Sequence, residues 1–263
     1  MALFAALVVE AIKEARIEGI WYGARELGRN RAAAPVIRLD GLIAISRWIR
    51  GLAAFDASGD LRSLADLLAP GDRAGAERID RAAYRERILR LDGIEMQIRD
   101  VLRTVGERPD PVIGLFQPHL RRRLSWVRGP TLAARQHRLA RIYLDAGDYV
   151  RAAILGLEAV VSQEMAKDGR YSEQDLVDDD KRSSFQSRLG KASSEWRTRA
   201  ARRGDAEVVA WVTAFHDLKE IRNAFAHASA EQDAAIRAAM ADEAHMRGFL
   251  VSLFETLFDD VPE

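Results

Sequence analysis

Cysteine is missing from all 263 residues. Disulfides, thiolate metal sites and cysteine nucleophiles are therefore excluded, and the chain suits a reducing compartment, with the cytoplasm as the expected location. Net charge is missing as well. The 40 basic residues balance 40 acidic ones, so any nucleic-acid site has to be a local patch. Lysine is scarce, at 5 of those 40 basic residues; a coding bias toward arginine explains this better than RNA binding does. No run approaches the roughly 20 apolar residues needed to span a bilayer. The apolar start, residues 1–10, has no basic segment before it and reads poorly as a signal peptide, so no membrane partner is expected. Asparagine occurs only twice, at Asn30 and Asn223.

What is present is a helical pattern. Residues 2–16 carry apolar side chains at helical spacing. Ile17 to Tyr22 and Pro35 to Leu39 read as two short strands, the one tract with strand character. Such a tract cannot close a sheet by itself and looks like the tail of an α/β domain. From Asp40, a plausible N-cap, the pattern is helical almost throughout. Helices are expected over residues 40–58, 61–68 and 72–105, the last as one long helix. Pro109, Pro111, Pro118 and Pro130 mark a hinge or insert near 106–130. Thr131 and Asp148 cap the next two helices, and residues 193–201, 206–228 and 230–258 complete the set. Gly169 to Ser184 reads as a polar loop. Asp178, Asp179 and Asp180 within it are read as solvated rather than as Mg²⁺ ligands, because consecutive loop residues diverge.

One segment carries chemistry, Leu218 to Ala228. Wound as a helix, it puts Leu218, Ile221 and Phe225 on one apolar face. Asn223 and His227 sit four apart on another face, with Arg222 beside them. Ala224, Ala226 and Ala228 leave room for a second helix. Histidine can take a proton from a ribose 2′-hydroxyl or give one to a leaving 5′-oxygen. Arginine can grip the phosphate oxygens as charge builds, and asparagine can orient the phosphate or the imidazole. With an internal nucleophile in the substrate, no metal or cofactor is required. The plainer alternative is a surface helix with a solvated arginine and a histidine favoured by the helix dipole. His216 reads as structural, with RNA contact as its alternative. Arg197, Arg199, Arg202 and Arg203 form a basic run that could steer RNA phosphates; Arg121, Arg122 and Arg123 read as a solvated face. His119, His137 and His245 read as structural, and Trp21 and Tyr22 as packing residues rather than stacking platforms for bases.

Residues 222–227, Arg-Asn-Ala-Phe-Ala-His, resemble the Arg-x4–6-His motif of HEPN ribonucleases. Residues 17–26, residues 35–40, the stretch from Trp48 through Phe55 to Gly59, Asp60 and Leu61, and the helix Tyr149–Met165 resemble the DxTHG-type CRISPR-associated family. These are accessory ribonucleases of type III CRISPR systems, with a CARF sensor followed by a HEPN effector. The resemblance implies a mainly α fold: a HEPN-type helical bundle over 41–263, preceded by a short α/β remnant of a Rossmann-like CARF domain over 1–40. It implies a homodimer that cleaves single-stranded RNA to 2′,3′-cyclic phosphate and 5′-hydroxyl ends, with cyclic oligoadenylate as allosteric activator. Arg222, Asn223 and His227 match the catalytic motif. The family's Asp-x-Thr-His-Gly element has no counterpart here. The expectation is a shortened gene, a misplaced start, or a separately encoded CARF half, and no nucleotide-binding residue is assigned. A catalytically silent dimerisation or RNA-binding module, and a HEPN toxin paired with an antitoxin, are the alternatives.

Overall fold

The computed structural model describes residues 19, 21–23, 35–69, 72–107, 111–227 and 233–258. Helical turns account for 81% of these residues. The expected helix over 2–16 lies outside them. The chain divides into two compact units. The first comprises the described residues up to Ala83 together with Asp100–Leu120, and the second Tyr84–Arg99 and everything from Arg121.

In the first unit two short strands, β1 (Trp21–Gly23) and β2 (Val36–Arg38), pair antiparallel with Trp21 opposite Arg38. Both strands are largely exposed, and Trp21 is 63% accessible. Trp21 therefore does not pack as expected; the Arg38 guanidinium lies over its ring, 5.1 Å from the centroid. Helix α1 (Asp40–Ser58) buries Ile43, Trp48, Leu52 and Phe55 along one face. Asp40 sits in its first turn rather than at the cap. Gly59, in the left-handed region at φ 67°, ends the helix. Helix α2 (Arg62–Leu68) packs against α1. The contact is close: a Cβ on Gly51 would meet Leu67 at 2.6 Å. Trp48 stacks on Phe116 and Asp56 pairs with His119 at 2.9 Å, which ties α1 to α5 (Pro111–Arg123).

The expected single helix over 72–105 is two, α3 (Arg73–Arg87) and α4 (Ile94–Glu107). Leu89 and Gly93 between them adopt φ of 57° and 75°. These left-handed residues cannot continue an α-helix. A glycine there is readable in a sequence, but a leucine is not.

The second unit is built from α6 (Leu132–Asp145), α7 (Tyr149–Asp168), α8 (Asp179–Arg203), α9 (Ala206–Ala226), α10 (Ala234–Ala239) and α11 (Glu243–Leu257). Thr131 and Asp148 cap α6 and α7 as expected, accepting from the Ala134 and Arg151 amides. The polar stretch before Ser184 is not all loop. Asp178 caps α8 by accepting from the Lys181 amide, and Asp179 pairs with Arg90. Three carboxylates at a helix N-terminus offset its dipole.

Helix α7 is buried nearly all round. Its Gly156 admits the Phe254 ring of α11 so closely that a Cβ would lie 2.4 Å from it. A polar seam crosses the core: Arg182 donates to the carbonyls of Leu176 and Glu158 and to Ser162 Oγ, and pairs with the Glu158 carboxylate. A second seam joins Tyr143 to Glu86, with Arg151 over the tyrosine ring. Among the described residues no helix is long and apolar enough to cross a membrane.

Two stability tests follow from this packing. The Tyr143 hydroxyl donates to Glu86 at 2.9 Å, and Glu86 is only 4% exposed. Tyr143→Phe takes a donor from a buried carboxylate and should cost about 1–3 kcal/mol in urea denaturation; a loss under about 0.5 kcal/mol would mean the bond contributes no more than its solvated alternative. His137 lies against Phe258, ring centroids 4.0 Å apart, and burial, reinforced by Arg141 and Arg138, pulls its imidazole down to about 4. The unfolded chain takes up this proton near pH 6.5, the folded chain only near pH 4. Its contribution is thus full above pH 6.5 and is lost as pH falls toward 4, by up to about 3 kcal/mol. His137→Gln should flatten the fall in urea midpoint between pH 6.5 and 4; an unchanged slope would refute the assignment.

Candidate active site on helix α9

Helix α9 packs against α7, α8, α10 and α11. Val212, Ala214, Phe215, Leu218, Ile221 and Ala224 are buried. Its N-terminus is capped by Asp205, which accepts from the Val208 amide at 3.2 Å. Its end differs from the sequence expectation. The helix stops at Ala226, and His227 is extended at φ −125° and ψ 108°. The His227 amide still donates to the Asn223 carbonyl at 2.9 Å, so His227 sits at the C-cap. Asn223 and His227 are therefore not stacked as two helical side chains. The imidazole projects from the first residue beyond the helix, and Ala228 lies outside the described residues.

Arg222 and Asn223 are half-buried, and His227 is exposed. Among the described residues, Arg222 has no hydrogen bond or ion pair, and the Asn223 side-chain amide has no partner. The residue is half-buried, but its guanidinium nitrogens keep contact with solvent and are open to an anion. Arg182 in the same unit satisfies four groups, and Arg151 and Arg170 each hold a carboxylate. A fork of donors, an amide and an imidazole thus gather at one helix end.

His216, Glu220 and Asn223 fall at i, i+4 and i+7 and share one side of α9. His216 Nε2 lies 3.2 Å from Ser193 Oγ, which itself donates to the Gly190 carbonyl. The pair is satisfied with the proton on Nε2. Burial, then Lys219 and Arg197, lower the His216 pKa, which keeps the ring neutral. Its place eleven residues before His227 corresponds to about 16 Å of helix, too far to share a phosphate with it.

The basic run falls elsewhere. Helix α8 turns at Gly204, φ 75°, and runs antiparallel to α9, with Ser193 facing His216. Arg199, Arg202 and Arg203 therefore lie along the first turns of α9, about 18 to 24 Å along the helix from Arg222. Nearness in sequence does not bring them to the motif. Arg197 is closer in effect, since its charge acts on both His216 and Asp217.

Sequence reasoning missed the acidic neighbours. Burial first, then the charge of Asp233, raise the Asp217 carboxyl above the ordinary aspartate range. Asp233 caps α10 by accepting from the Ala235 amide at 2.9 Å. The signal for this was a cap residue six positions after His227. Among the described residues no group of three or more His, Asp and Glu side chains is placed to hold a metal ion.

Comparison with known proteins gives one informative result. Over 69 residues, 26% of this chain, the sequence is 33% identical to the CRISPR-associated protein MJ1674 of Methanocaldococcus jannaschii. The match covers 11% of that relative's length. No family model and no solved structure matches the chain.

The Asp217 environment is testable. A carbon-detected NMR titration should find its carboxyl titrating above the other exposed aspartates, and Asp233→Asn should lower it. A value unmoved by Asp233→Asn would exclude the interaction.

Proposed function

We propose that this protein is a metal-independent endoribonuclease that cleaves single-stranded RNA by attack of the ribose 2′-hydroxyl on the adjacent phosphorus. The observation that carries the reading is Arg222. It is half-buried and has no partner among the described residues, beside an unpartnered Asn223 amide and the exposed His227. Such a group awaits an anion.

The chemistry follows from the three side chains. Arg222 holds two non-bridging oxygens of the scissile phosphate and offsets the charge that builds in the transition state. Asn223 donates to the phosphate or orients the imidazole. His227 takes the proton from the 2′-hydroxyl as the 2′-oxygen bonds to phosphorus. The bond to the 5′-oxygen breaks, and that oxygen leaves with a proton from a second imidazole. The products carry 2′,3′-cyclic phosphate and 5′-hydroxyl ends. Base and acid act on opposite sides of the phosphorus, so one imidazole cannot readily serve both. A homodimer that joins two α9 ends supplies the second. Ala224 and Ala226 keep that end of the helix slim.

The similarity to a CRISPR-associated protein over a quarter of the chain supports a role in CRISPR defence. Together with the resemblance to DxTHG-type ribonucleases, it makes a CARF–HEPN effector of type III systems the best reading. On this reading the enzyme works in the cytoplasm, with cyclic oligoadenylate as its candidate activator.

The test is cleavage of an unstructured RNA in EDTA, with and without cyclic oligoadenylates. Arg222→Ala and His227→Ala should each slow cleavage by about 100-fold or more, with circular dichroism unchanged. Wild-type protein inert on RNA under every activator condition would overturn the proposal. RNA binding without cleavage, equal in all three proteins, would instead mark a non-catalytic helical module.

A further inference from the structure

A groove remote from the motif has its own chemistry. It is formed where the ends of α7, α8 and α11 meet the first turns of α9, and its volume is about 540 Å³. Its walls are the indoles of Trp196 and Trp211 with Val208, Val212 and Leu257. Trp196 is 41% and Val208 37% exposed. Trp211 stacks on Phe215, ring centroids 5.7 Å apart, within the roughly 4.5–7 Å range of aromatic pairs.

Its charged groups are mainly acidic. Glu164, Asp205 and Glu207 bring three carboxylates against one ammonium, that of Lys167. Lys167 is already engaged by Glu164 at 3.0 Å. The Thr256 hydroxyl donates to the Ser252 carbonyl, which leaves its oxygen to accept. Gln163 Oε1 is buried and has no hydrogen-bond partner. Capping accounts for Asp205, which accepts from the Val208 amide. The Lys167 pair accounts for Glu164, and neither accounts for Glu207 or for the two indoles. Aromatic faces carry negative potential and attract cations.

An occupant must therefore bring donors and positive charge, together with an apolar body to cover Val208, Val212 and Leu257. Anions are disfavoured. We propose that this groove binds an alkyl polyamine, its methylene chain along the tryptophans and its ammonium groups at the carboxylates. The site is independent of the ribonuclease reading.

Spermidine is the probe. Titration of the full chain at physiological ionic strength, followed by calorimetry and tryptophan fluorescence, should show saturable binding with one site per chain. Trp196→Ala and Glu207→Gln alter exposed positions and should each weaken it by about tenfold or more. Glu173→Gln, outside the groove, should leave it unchanged, and magnesium chloride at equal ionic strength should not displace the ligand. No saturable binding, equal weakening by all three substitutions, or displacement by magnesium would overturn the proposal. So would sedimentation showing a Trp196-dependent self-association that excludes spermidine, because the occupant would then be a second copy.

Discussion

The burial of helix α9 is the constraint on which the rest depends. Phe215, Leu218 and Ile221 are fully enclosed by neighbouring helices. The axis of α9 is therefore set by the core and not by the surface side chains it carries. Each of those apolar residues contributes about 1.5–3 kcal/mol through burial. That is enough to fix the backbone beneath a half-buried arginine whose guanidinium still meets solvent, one turn before the helix end. A site that requires a cation without a counter-ion needs such support, since the free guanidinium itself favours solvent. The backbone leaves the helical region at His227, which is exposed while its amide keeps the last helical hydrogen bond.

The surroundings divide the work among the chain's cations. Many of the described arginines hold a carboxylate or a carbonyl, as Arg182, Arg151 and Arg99 do. Their role is structural, and the arginine abundance of the sequence says little about RNA. His216 belongs with them. It is neutral, tied to Ser193 and edge-on to Phe215. The two ends of α9 also differ in charge. The C-terminal end presents Arg222 without a partner, and the N-terminal end presents the carboxylates of Asp205 and Glu207 beside two indoles. One helix thus carries an arginine without an ion pair near one end and carboxylates at the other.

Local chemistry was legible in the sequence, and long-range geometry was not. Thr131 and Asp148 announced their helices because a cap is decided within three residues. Leu218 and Ile221 were legible as core because helical spacing alone puts them on one face. The break between α3 and α4 was hidden, since Leu89 takes a left-handed conformation that nothing in its residue type signals. The Asp178 to Asp180 run looked like loop because acidic residues suit both a solvated turn and a helix start. Trp21 looked buried because a strand suggested a sheet to cover it. At the motif, the residues were readable but the helix end was not: Ala226 and His227 have no proline or glycine after them to mark a stop. The arginine run misled through distance along the chain, since the turn at Gly204 sends it to the far end of α9.

The central claim is that two copies of the α9 end meet at one phosphate. The absence of cysteine makes it directly measurable, because Ala226→Cys introduces a single labelling site on an exposed residue. Pulsed dipolar electron spin resonance on the spin-labelled protein would then read the distance between copies. Two imidazoles serving one phosphate as base and acid require a narrow distribution below about 25 Å between labels. A protein that cleaves RNA yet shows no dipolar coupling, or couples only beyond about 40 Å, would contradict a shared site.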